Sequence, residues 1–236
     1  DATVIVTGKG KRAIEDHFDN AFELEYQLTG TSKEHYLEEI KSIIESATFT
    51  YVRQPKMLGL GHAILSGEPL IGNEAFAVIL ADDLIKSQKP CLKQLIDIYY
   101  EKESTIVALE KIKKSESSKY GIVEYHAKYK DLYHIKSIVE KPSPKMAKSN
   151  LAVVGRYVFT PEIFTKIEKV SPGNGKEIQI TDAIADLMQN QPIHGYIFEG
   201  KRFDCGSKLG YLQATIEYAL DHDELSSKFR NYLKNL

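Results

Sequence analysis

The sequence predicts an α/β protein: a mixed sheet flanked by helices, with a helical extension at the C-terminus. Through residue 109, β-type runs alternate with segments of helical periodicity, and later segments are strand-rich with short connections. The alternation is typical of a parallel sheet with helices on its faces, and the later strands indicate an antiparallel or mixed insertion beside it. We predict one compact domain over residues 1–205 and the helical extension over 206–236.

The individual elements follow from apolar periodicity. Runs rich in β-branched and aromatic residues predict strands at about 3–7, 48–53, 76–81, 104–109, 121–125, 135–139, 151–159 and 193–198. Apolar residues three and four positions apart predict helices over 35–46, before the strand at 104, and after residue 206.

Composition argues against two classes of partner. A net charge of −2 over 236 residues gives no reason to expect nucleic acid or a membrane surface. The longest apolar run is far shorter than the roughly 20 residues that a membrane span needs. The two cysteines, Cys91 and Cys205, lie far apart and form no metal or redox motif, which favours a reduced, cytoplasmic location.

Two carboxylates end the most apolar strand. Residues 75–84 are AFAVILADDL, a run of apolar residues that stops at Asp82 and Asp83. Such a run predicts a buried central strand of a parallel sheet, and acids at its C-terminal end lie where open α/β sheets bind ligands. Carboxylate oxygens there suit Mg²⁺ carrying a phosphorylated substrate. The alternative is that the two acids only cap the next turn.

The segment YVRQPKMLGLGHAIL (51–65) predicts a strand, a loop and a helix. Gly59 and Gly61 lack a Cβ, so a flat ring can approach the backbone closely. Gln54 offers a donor and an acceptor, as the edge of a uracil requires. The alternative is a glycine-rich turn with an unrelated glutamine.

Glu140 and Lys141 end a predicted strand just before Pro142, which stops the ladder. A carboxylate accepts from sugar hydroxyls, and a lysine is a point charge for phosphate. Because neighbouring side chains of a strand point to opposite faces, we expect that the two do not reach the same ligand atom. The alternative is a surface ion pair.

Four further positions are candidates from their surroundings. Gly121, in KYGIVEY, allows a sugar to lie against the backbone, and Val153 belongs to a mostly buried strand. Asp182 follows Thr181 at a predicted helix start, where the alternative is a simple cap. Asp204 is a second acid that would complete a metal site with Asp82, and its alternative is an Asx turn.

Several motifs occur in an order that resembles the bacterial UTP–glucose-1-phosphate uridylyltransferases, also called UDP-glucose pyrophosphorylases. The motifs are VRQPKMLGLGHAIL, FAVILADDL, YGIV, VEKPSP, SNLAVVGRYVF, EIQITDAI and FDCGSKLGY. The resemblance covers essentially the whole chain. EKP also occurs in other sugar-nucleotide pyrophosphorylases, whereas the combination of GLGHA, EIQITDA and DCG-x-x-GY is much more specific.

The resemblance implies a Rossmann-like nucleotide-diphospho-sugar transferase fold, so that residues 1–205 would be the catalytic domain. It implies the reversible reaction of UTP with glucose 1-phosphate to give UDP-glucose and pyrophosphate, with Mg²⁺ as cofactor. It also implies a homodimer or homotetramer. The sugar phosphate oxygen is already anionic, so no side-chain nucleophile is needed, and the sequence has no GxSxG elbow.

The resemblance also implies site residues, motif by motif. Catalytic roles at the metal and the phosphates would fall on Asp82, Asp204, Lys141 and Lys201. Substrate contacts would fall on Gln54 and Gly59 for uracil, Gly121 and Glu140 for the glucose hydroxyls, Val153 for the sugar pocket, and Glu177 and Asp182.

The chain departs from the family at its start. Family members begin with a strand, a glycine-rich G-x-G-T-R loop and a P-K-E-M segment, and none of these occurs here. We therefore expect that the 236 residues alone have little or no activity. Two alternatives remain open: a pyrophosphorylase for another sugar and nucleotide, such as dTTP with glucose 1-phosphate, or a catalytically inactive subunit that binds sugar nucleotides.

Overall fold

The computed structural model describes residues 2–173 and 176–236, which divide between two compact units. The first unit contains the residues up to Glu74 together with Phe164–Ala183, and the second contains Ala75–Ile163 with Ile184–Leu236. Within the described ranges, no helix combines the length and apolar character that a bilayer crossing requires. The predicted boundary between residues 205 and 206 stays a prediction.

The first unit is built on two parallel strands. β1 (Ala2–Thr7) pairs with β2 (Thr48–Arg53) in register from Ala2 opposite Thr48 to Thr7 opposite Arg53. Parallel neighbours need a long crossover, and helices supply it. The helices between and after the strands are α1 (Arg12–Phe18), α2 (Phe22–Leu28), α3 (His35–Ile44), α4 (Leu60–Ser66) and α5 (Glu68–Ile71).

The second unit is built on a six-stranded mixed sheet, whose strands are β3 (Phe76–Ile79), β5 (Ile106–Lys111), β6 (Gly121–Tyr129), β7 (Leu132–Glu140), β8 (Leu151–Phe159) and β9 (His194–Ile197). Their order across the sheet is β3-β8-β5-β9-β7-β6. β8 is buried along its length apart from Arg156, as its mostly apolar sequence LAVVGRYVF predicts for a strand covered on both faces. β5 runs parallel to β9 and antiparallel to β8.

A separate two-stranded ladder carries the acids of interest. β4 (Asp83–Lys86) and β10 (Lys201–Asp204) are antiparallel, with Asp204 opposite Asp83. The remaining helices are α6 (Cys91–Lys102), a 3₁₀-helix (Lys114–Lys119), α7 (Glu162–Ile167), α8 (Ile180–Leu187), α9 (Lys208–Asp221) and α10 (Ser226–Lys234). α6 packs on the sheet of the second unit, where Leu95, Ile106 and Val158 belong to one buried cluster.

The prediction of a buried central strand in a parallel sheet is wrong for residues 76–81. β3 is antiparallel to β8 and lies at the end of the described strand order, and the side chain of Ile79 is 55% exposed. A continuous apolar run does not reveal which strand will pair with it. Here the partner is β8, which lies about 75 residues later in the chain.

Candidate active site

A tight turn at the end of β3, Leu80–Asp83, presents the two neighbouring acids; we call it the aspartate turn. Asp83 N donates to Leu80 O at 3.2 Å and closes the turn, and Leu80 N donates to Gly155 O of β8 at 2.9 Å. A Cβ at Gly155 would lie 2.5 Å from Asp83 Oδ2. Glycine at residue 155 therefore allows the turn to lie directly against β8.

Asp83 is buried, and both of its carboxylate oxygens are used inside the protein. Oδ2 accepts from Gly155 N at 2.7 Å, and Oδ1 accepts from Arg202 Nε at 2.7 Å. These charge-assisted bonds offset the cost of removing the carboxylate from water. Asp83 therefore supports the turn, and its neighbour Asp82 carries the exposed carboxylate.

Arg156 of β8 fixes the backbone of the aspartate turn at both ends. Its Nη1 donates to Leu80 O at 2.9 Å, and its Nη2 donates to Asp83 O at 2.7 Å. Burial lowers the pKa of this half-buried arginine, while the nearby Cys91, Asp83 and Asp82 act in the opposite direction. The planar guanidinium fork suits this bridging role, which a lysine does not reproduce.

Asp82 and Asp204 face the same small space. The ladder of β4 and β10 continues for one more bond, in which Cys205 N donates to Asp82 O at 2.8 Å. A Cβ at Gly206 would lie 3.1 Å from Asp204 Oδ1 and 3.2 Å from Asp82 Oδ2. The structure thus brings these two acids together, and their role as a metal site stays a prediction.

The two carboxylates at this place suit Mg²⁺, which takes its other ligands from water and phosphate, better than a metal ion whose ligands all come from the protein. Among the described residues, no group of three or more histidine, cysteine, aspartate or glutamate side chains is arranged to hold a metal ion. Mg²⁺ keeps several waters and is commonly bound by one or two carboxylates together with substrate phosphates. Asp82 and Asp204 are two carboxylates that could serve in this way.

Lys201 lies away from the two aspartates. Its Nζ pairs with Glu217 of α9 and lies 5.1 Å from the ring centroid of Phe203. Because side chains alternate along a strand, Lys201 and Asp204 point to opposite faces of β10. The structure therefore does not bring Lys201 to the site of the aspartates.

Glu140 and Lys141 form a corner at the end of β7. Lys141 Nζ lies 3.5 Å from Glu140 Oε1, so the two side chains approach each other, contrary to the expectation from strand alternation. The reason is backbone geometry: Lys141 has φ of +45°, in the left-handed region, where the alternation of a strand no longer holds. Its N–H donates to Tyr120 O at 3.0 Å.

The predicted sugar-pocket residues belong to neighbouring strands of the same sheet. Gly121 begins β6 and is paired with Glu140. Val153 lies on β8 opposite Leu109, with a side chain only 6% exposed. Gly121 and Glu140 are thus brought together, while the role of Val153 stays a prediction.

In the first unit, the loop from Gln54 to Gly61, which we call the glycine loop, holds the Gln54 amide in a fixed orientation. Gln54 Nε2 donates to Gly59 O at 3.1 Å and lies 3.0 Å from His62 Nδ1. This second contact requires His62 Nδ1 to be unprotonated. Gly59 has φ of +89°, which glycine adopts without strain.

The glycine loop is fastened to the segment that contains Glu177. Gly61 N donates to Ile178 O at 2.9 Å, and Ile178 N donates to Leu58 O at 2.7 Å. A Cβ at Gly59 would lie 2.9 Å from the Cβ of Glu177, which is exposed. The structure thus places Glu177 beside Gly59, whereas Asp182 is exposed in the first turn of α8.

Comparison with known proteins decides the family. The model of a family described as nucleotidyl transferase matches residues 3–220. The chain belongs to the nucleotidyl transferase family. A curated relative from Pseudomonas aeruginosa, UTP–glucose-1-phosphate uridylyltransferase, is 50% identical over 213 residues, which is 89% of this chain and 76% of the relative.

Solved structures agree with this nucleotidyl transferase assignment. A UDP-glucose pyrophosphorylase complexed with UDP-glucose matches with a TM-score of 0.84 and 46% identity, covering 93% of this chain and 81% of that one. A UTP-bound UGPase from Acinetobacter baumannii matches with a TM-score of 0.90 and 38% identity, covering 99% and 82%. The predicted resemblance to the uridylyltransferases, the α/β nucleotidyltransferase fold and the expectation of an enzyme are confirmed.

The sequence analysis of this nucleotidyl transferase missed the residues that hold the acids in place. Arg156 and Arg202 were not candidates, nor was His62. A signal was available for Arg156, because a charged residue inside an otherwise apolar strand must find a partner when it is buried. For Arg202 the partner Asp83 is 119 residues away in the chain, so no local pattern reveals the pair.

Proposed function

We propose that the protein transfers UMP from UTP to glucose 1-phosphate, giving UDP-glucose and pyrophosphate. The single observation that carries the chemistry is the convergence of Asp82 and Asp204 on the space beside Gly206. The substrates are supported by the relatives, one of which is named as the uridylyltransferase and others of which are described with UTP or UDP-glucose bound.

Mg²⁺ is the cofactor in this proposal, and Asp82 and Asp204 would hold it. When bound, it supplies positive charge that offsets the charge of the reacting phosphates. Asp82 is exposed and Asp204 is half-buried, so phosphate oxygens and water would have room to complete the coordination.

The reaction needs positioning more than a side-chain nucleophile. The phosphate oxygen of the sugar substrate is anionic and attacks the α-phosphorus directly, so the protein must align two polyanions and neutralise their repulsion. The thiol of Cys91 plays no part as a nucleophile, because burial raises the pKa of this cysteine to about 12.

Within the second unit, the Glu140–Lys141 corner would take the sugar phosphate. The Glu140 carboxylate accepts from glucose hydroxyls beside the bare backbone of Gly121, and the Lys141 ammonium meets the phosphate. Val153 would line the sugar pocket. The 3.5 Å spacing of the two charged groups supports a role in which one ligand contacts both.

Within the first unit, the glycine loop would take the uracil. Because Gly59 and His62 take both N–H donors of the Gln54 amide and hold it in one orientation, its carbonyl oxygen would accept from the N–H on the edge of the uracil. Gly59 leaves the backbone open to a flat ring. Glu177, beside Gly59, and Asp182 would make further substrate contacts. In the second unit, Lys201 would approach the phosphates.

Location and assembly also stay proposals. A cytoplasmic location is supported by the two free cysteines, Cys91 and Cys205. A homodimer or homotetramer is supported by exposed apolar side chains at helical spacing on α9, namely Leu209, Leu212 and Ile216.

The test compares Asp82→Asn and Asp204→Asn in the complete natural protein that carries this sequence. We expect each to lower UDP-glucose formation by about a hundredfold, the loss typical of removing a group that supports transition-state charge. Each should also weaken Mn²⁺ binding in the presence of UTP, followed by electron paramagnetic resonance. The exposed Asp223→Asn is the matched control and should change neither quantity.

Two results would overturn the proposal. One is Mn²⁺ binding and turnover in Asp82→Asn and Asp204→Asn equal to those of the control. The other is a preference of the unaltered protein for dTTP over UTP, which would favour a pyrophosphorylase of different base specificity.

A further inference from the structure

Arg202 lies on β10, the strand that also carries Asp204, and its buried side chain bonds Asp83, the residue that supports the aspartate turn. The Arg202 side chain is only 8% exposed, and its Nε donates to Asp83 Oδ1 at 2.7 Å. Its Nη1 donates to Glu110 Oε2 at 3.0 Å. Since Arg202 precedes Asp204 by two residues on β10, the same short strand holds a proposed metal ligand and the partner of Asp83.

The other side of Arg202 reaches the Glu140–Lys141 corner through Tyr120. The guanidinium carbon lies 5.3 Å from the Tyr120 ring centroid, within cation–π range. The Tyr120 carbonyl accepts from Lys141 N at 3.0 Å. The next residue, Gly121, is paired with Glu140. A continuous chain of contacts therefore runs from Asp83 through Arg202 and Tyr120 to Lys141.

Charge and shape both suit Arg202 to this position. Burial opposes its charge, but the hydrogen bond to Tyr120 and the nearby carboxylates of Asp83 and Glu110 outweigh that effect and raise the pKa of Arg202. A guanidinium bonds two carboxylates and stacks on a ring at the same time, whereas an ammonium is a single point charge without a planar face.

We infer that Arg202 is a positioning residue that fixes Asp82 and Asp204 relative to the Glu140–Lys141 corner. The inference rests on the proposed function, in which the first pair binds the metal and the second binds the sugar phosphate. Arg202 touches neither ligand. It acts through Asp83 on one side and through Tyr120 on the other.

The decisive variant is Arg202→Lys in the complete protein, because it keeps the charge and removes the fork and the stacking face. We expect Mn²⁺ affinity, by electron paramagnetic resonance, and UDP-glucose affinity, by calorimetry without metal, each to fall about tenfold, as for other residues that orient ligand groups. Thermal unfolding of each variant shows that the protein is folded under the conditions of both measurements. Lys136→Met, which removes the exposed pair with Glu124, is the control and should change neither affinity.

Tyr120→Leu provides a second and independent arm, which decides the question if Arg202→Lys does not fold. It keeps the bond between Arg202 and Asp83 and removes the stacking ring. We therefore expect UDP-glucose affinity to fall while Mn²⁺ affinity stays near that of the unaltered protein.

The outcomes separate the two proposals. If Arg202→Lys folds and loses neither affinity, or only one, the inference is overturned; so it is if Tyr120→Leu leaves UDP-glucose affinity unchanged. If Asp82→Asn binds Mn²⁺ normally, the proposed metal site itself fails. If Asp82→Asn weakens Mn²⁺ binding and Arg202→Lys does not, the metal site stands and only the inference about Arg202 falls.

Discussion

The aspartate turn and the glycine loop both follow a β-strand, yet different forces hold them. In the aspartate turn, the buried Asp83 carboxylate is bonded to Arg202, and Arg156 bonds the backbone carbonyls at both ends of the turn. In the glycine loop, the backbone of residues 58–61 bonds the backbone of Ile178, and space for a Cβ is lacking at Gly59 and Gly61.

This difference predicts opposite sensitivities. The aspartate turn should tolerate a substitution of the exposed Asp82. It should not tolerate the loss of the charge on Asp83 or Arg202, because each of these buried charges is the partner of the other. The glycine loop contains little buried charge and should be sensitive to a single added methyl group.

The largest effect is expected for Asp83→Asn. The amide cannot accept from both Gly155 N and Arg202 Nε as the carboxylate does, and it leaves the buried arginine without its full counter-charge. Breaking a buried ion pair by altering one partner costs about 3–5 kcal/mol. The free energy of unfolding, measured by urea denaturation, should fall by that amount.

Asp82→Asn is the neighbouring control for this prediction. Asp82 is exposed, and substitutions at exposed positions usually change stability by no more than about 0.5 kcal/mol. Equal losses of stability in the two variants would contradict the inference that Asp83 supports the turn while Asp82 carries the exposed carboxylate.

Gly61→Ala should break the glycine loop with an intermediate effect. A Cβ at residue 61 would lie 2.7 Å from both Ile178 O and Ile178 Cγ2, so the backbones must separate. Residue 61 lies in α4, where alanine would otherwise be favoured by up to about 1 kcal/mol. We expect overpacking to outweigh that gain and to cost about 1–3 kcal/mol in the free energy of unfolding.

Gly8→Ala is the matched control in the same unit, because no atom lies within 4 Å of the position of its Cβ. It should leave the stability unchanged or slightly higher, as expected when the unfolded chain loses freedom. If Gly61→Ala proves as stable as Gly8→Ala, the close fit of the glycine loop to Ile178 is refuted.

The same contrast between local and long-range contacts explains which parts of the fold could be predicted from the sequence. The strands at 48–53 and 151–159 were predicted with the bounds of β2 and β8, because their β-branched and aromatic residues are unmistakable. β4 and β10 were not among the predicted strands, since they have four residues each and contain Asp, Lys and Arg. The pairing of β3 with β8 is a long-range choice that no local pattern contains.

The candidate site divides in the same way. Gln54 and Gly59 lie five residues apart, and their contact could be expected from a short loop. The sequence could not show which of Asp82 and Asp83 is buried, because the answer depends on Gly155 and Arg202, which are distant in the chain. The sequence offered Asp204 as a second acid, both from its surroundings and through the resemblance, and only the strand ladder explains why it lies near Asp82.

The smallest effect is expected at residue 141. Gly59 and Lys141 both have positive φ, but only one of them is a glycine. A side chain in the left-handed region costs about 1–2 kcal/mol, and glycine gives back about 0.5–1 kcal/mol through its greater freedom in the unfolded chain. Lys141→Gly should therefore raise the free energy of unfolding by up to about 1 kcal/mol, since the strain is removed. It should also weaken UDP-glucose binding, because the ammonium is lost.

Lys145→Gly, which has no positive φ to relieve, should lower the stability instead. If both lysine variants shift the urea midpoint in the same direction, Lys141 is not strained. If UDP-glucose affinity survives in Lys141→Gly, the proposed contact of the Lys141 ammonium with the phosphate is refuted.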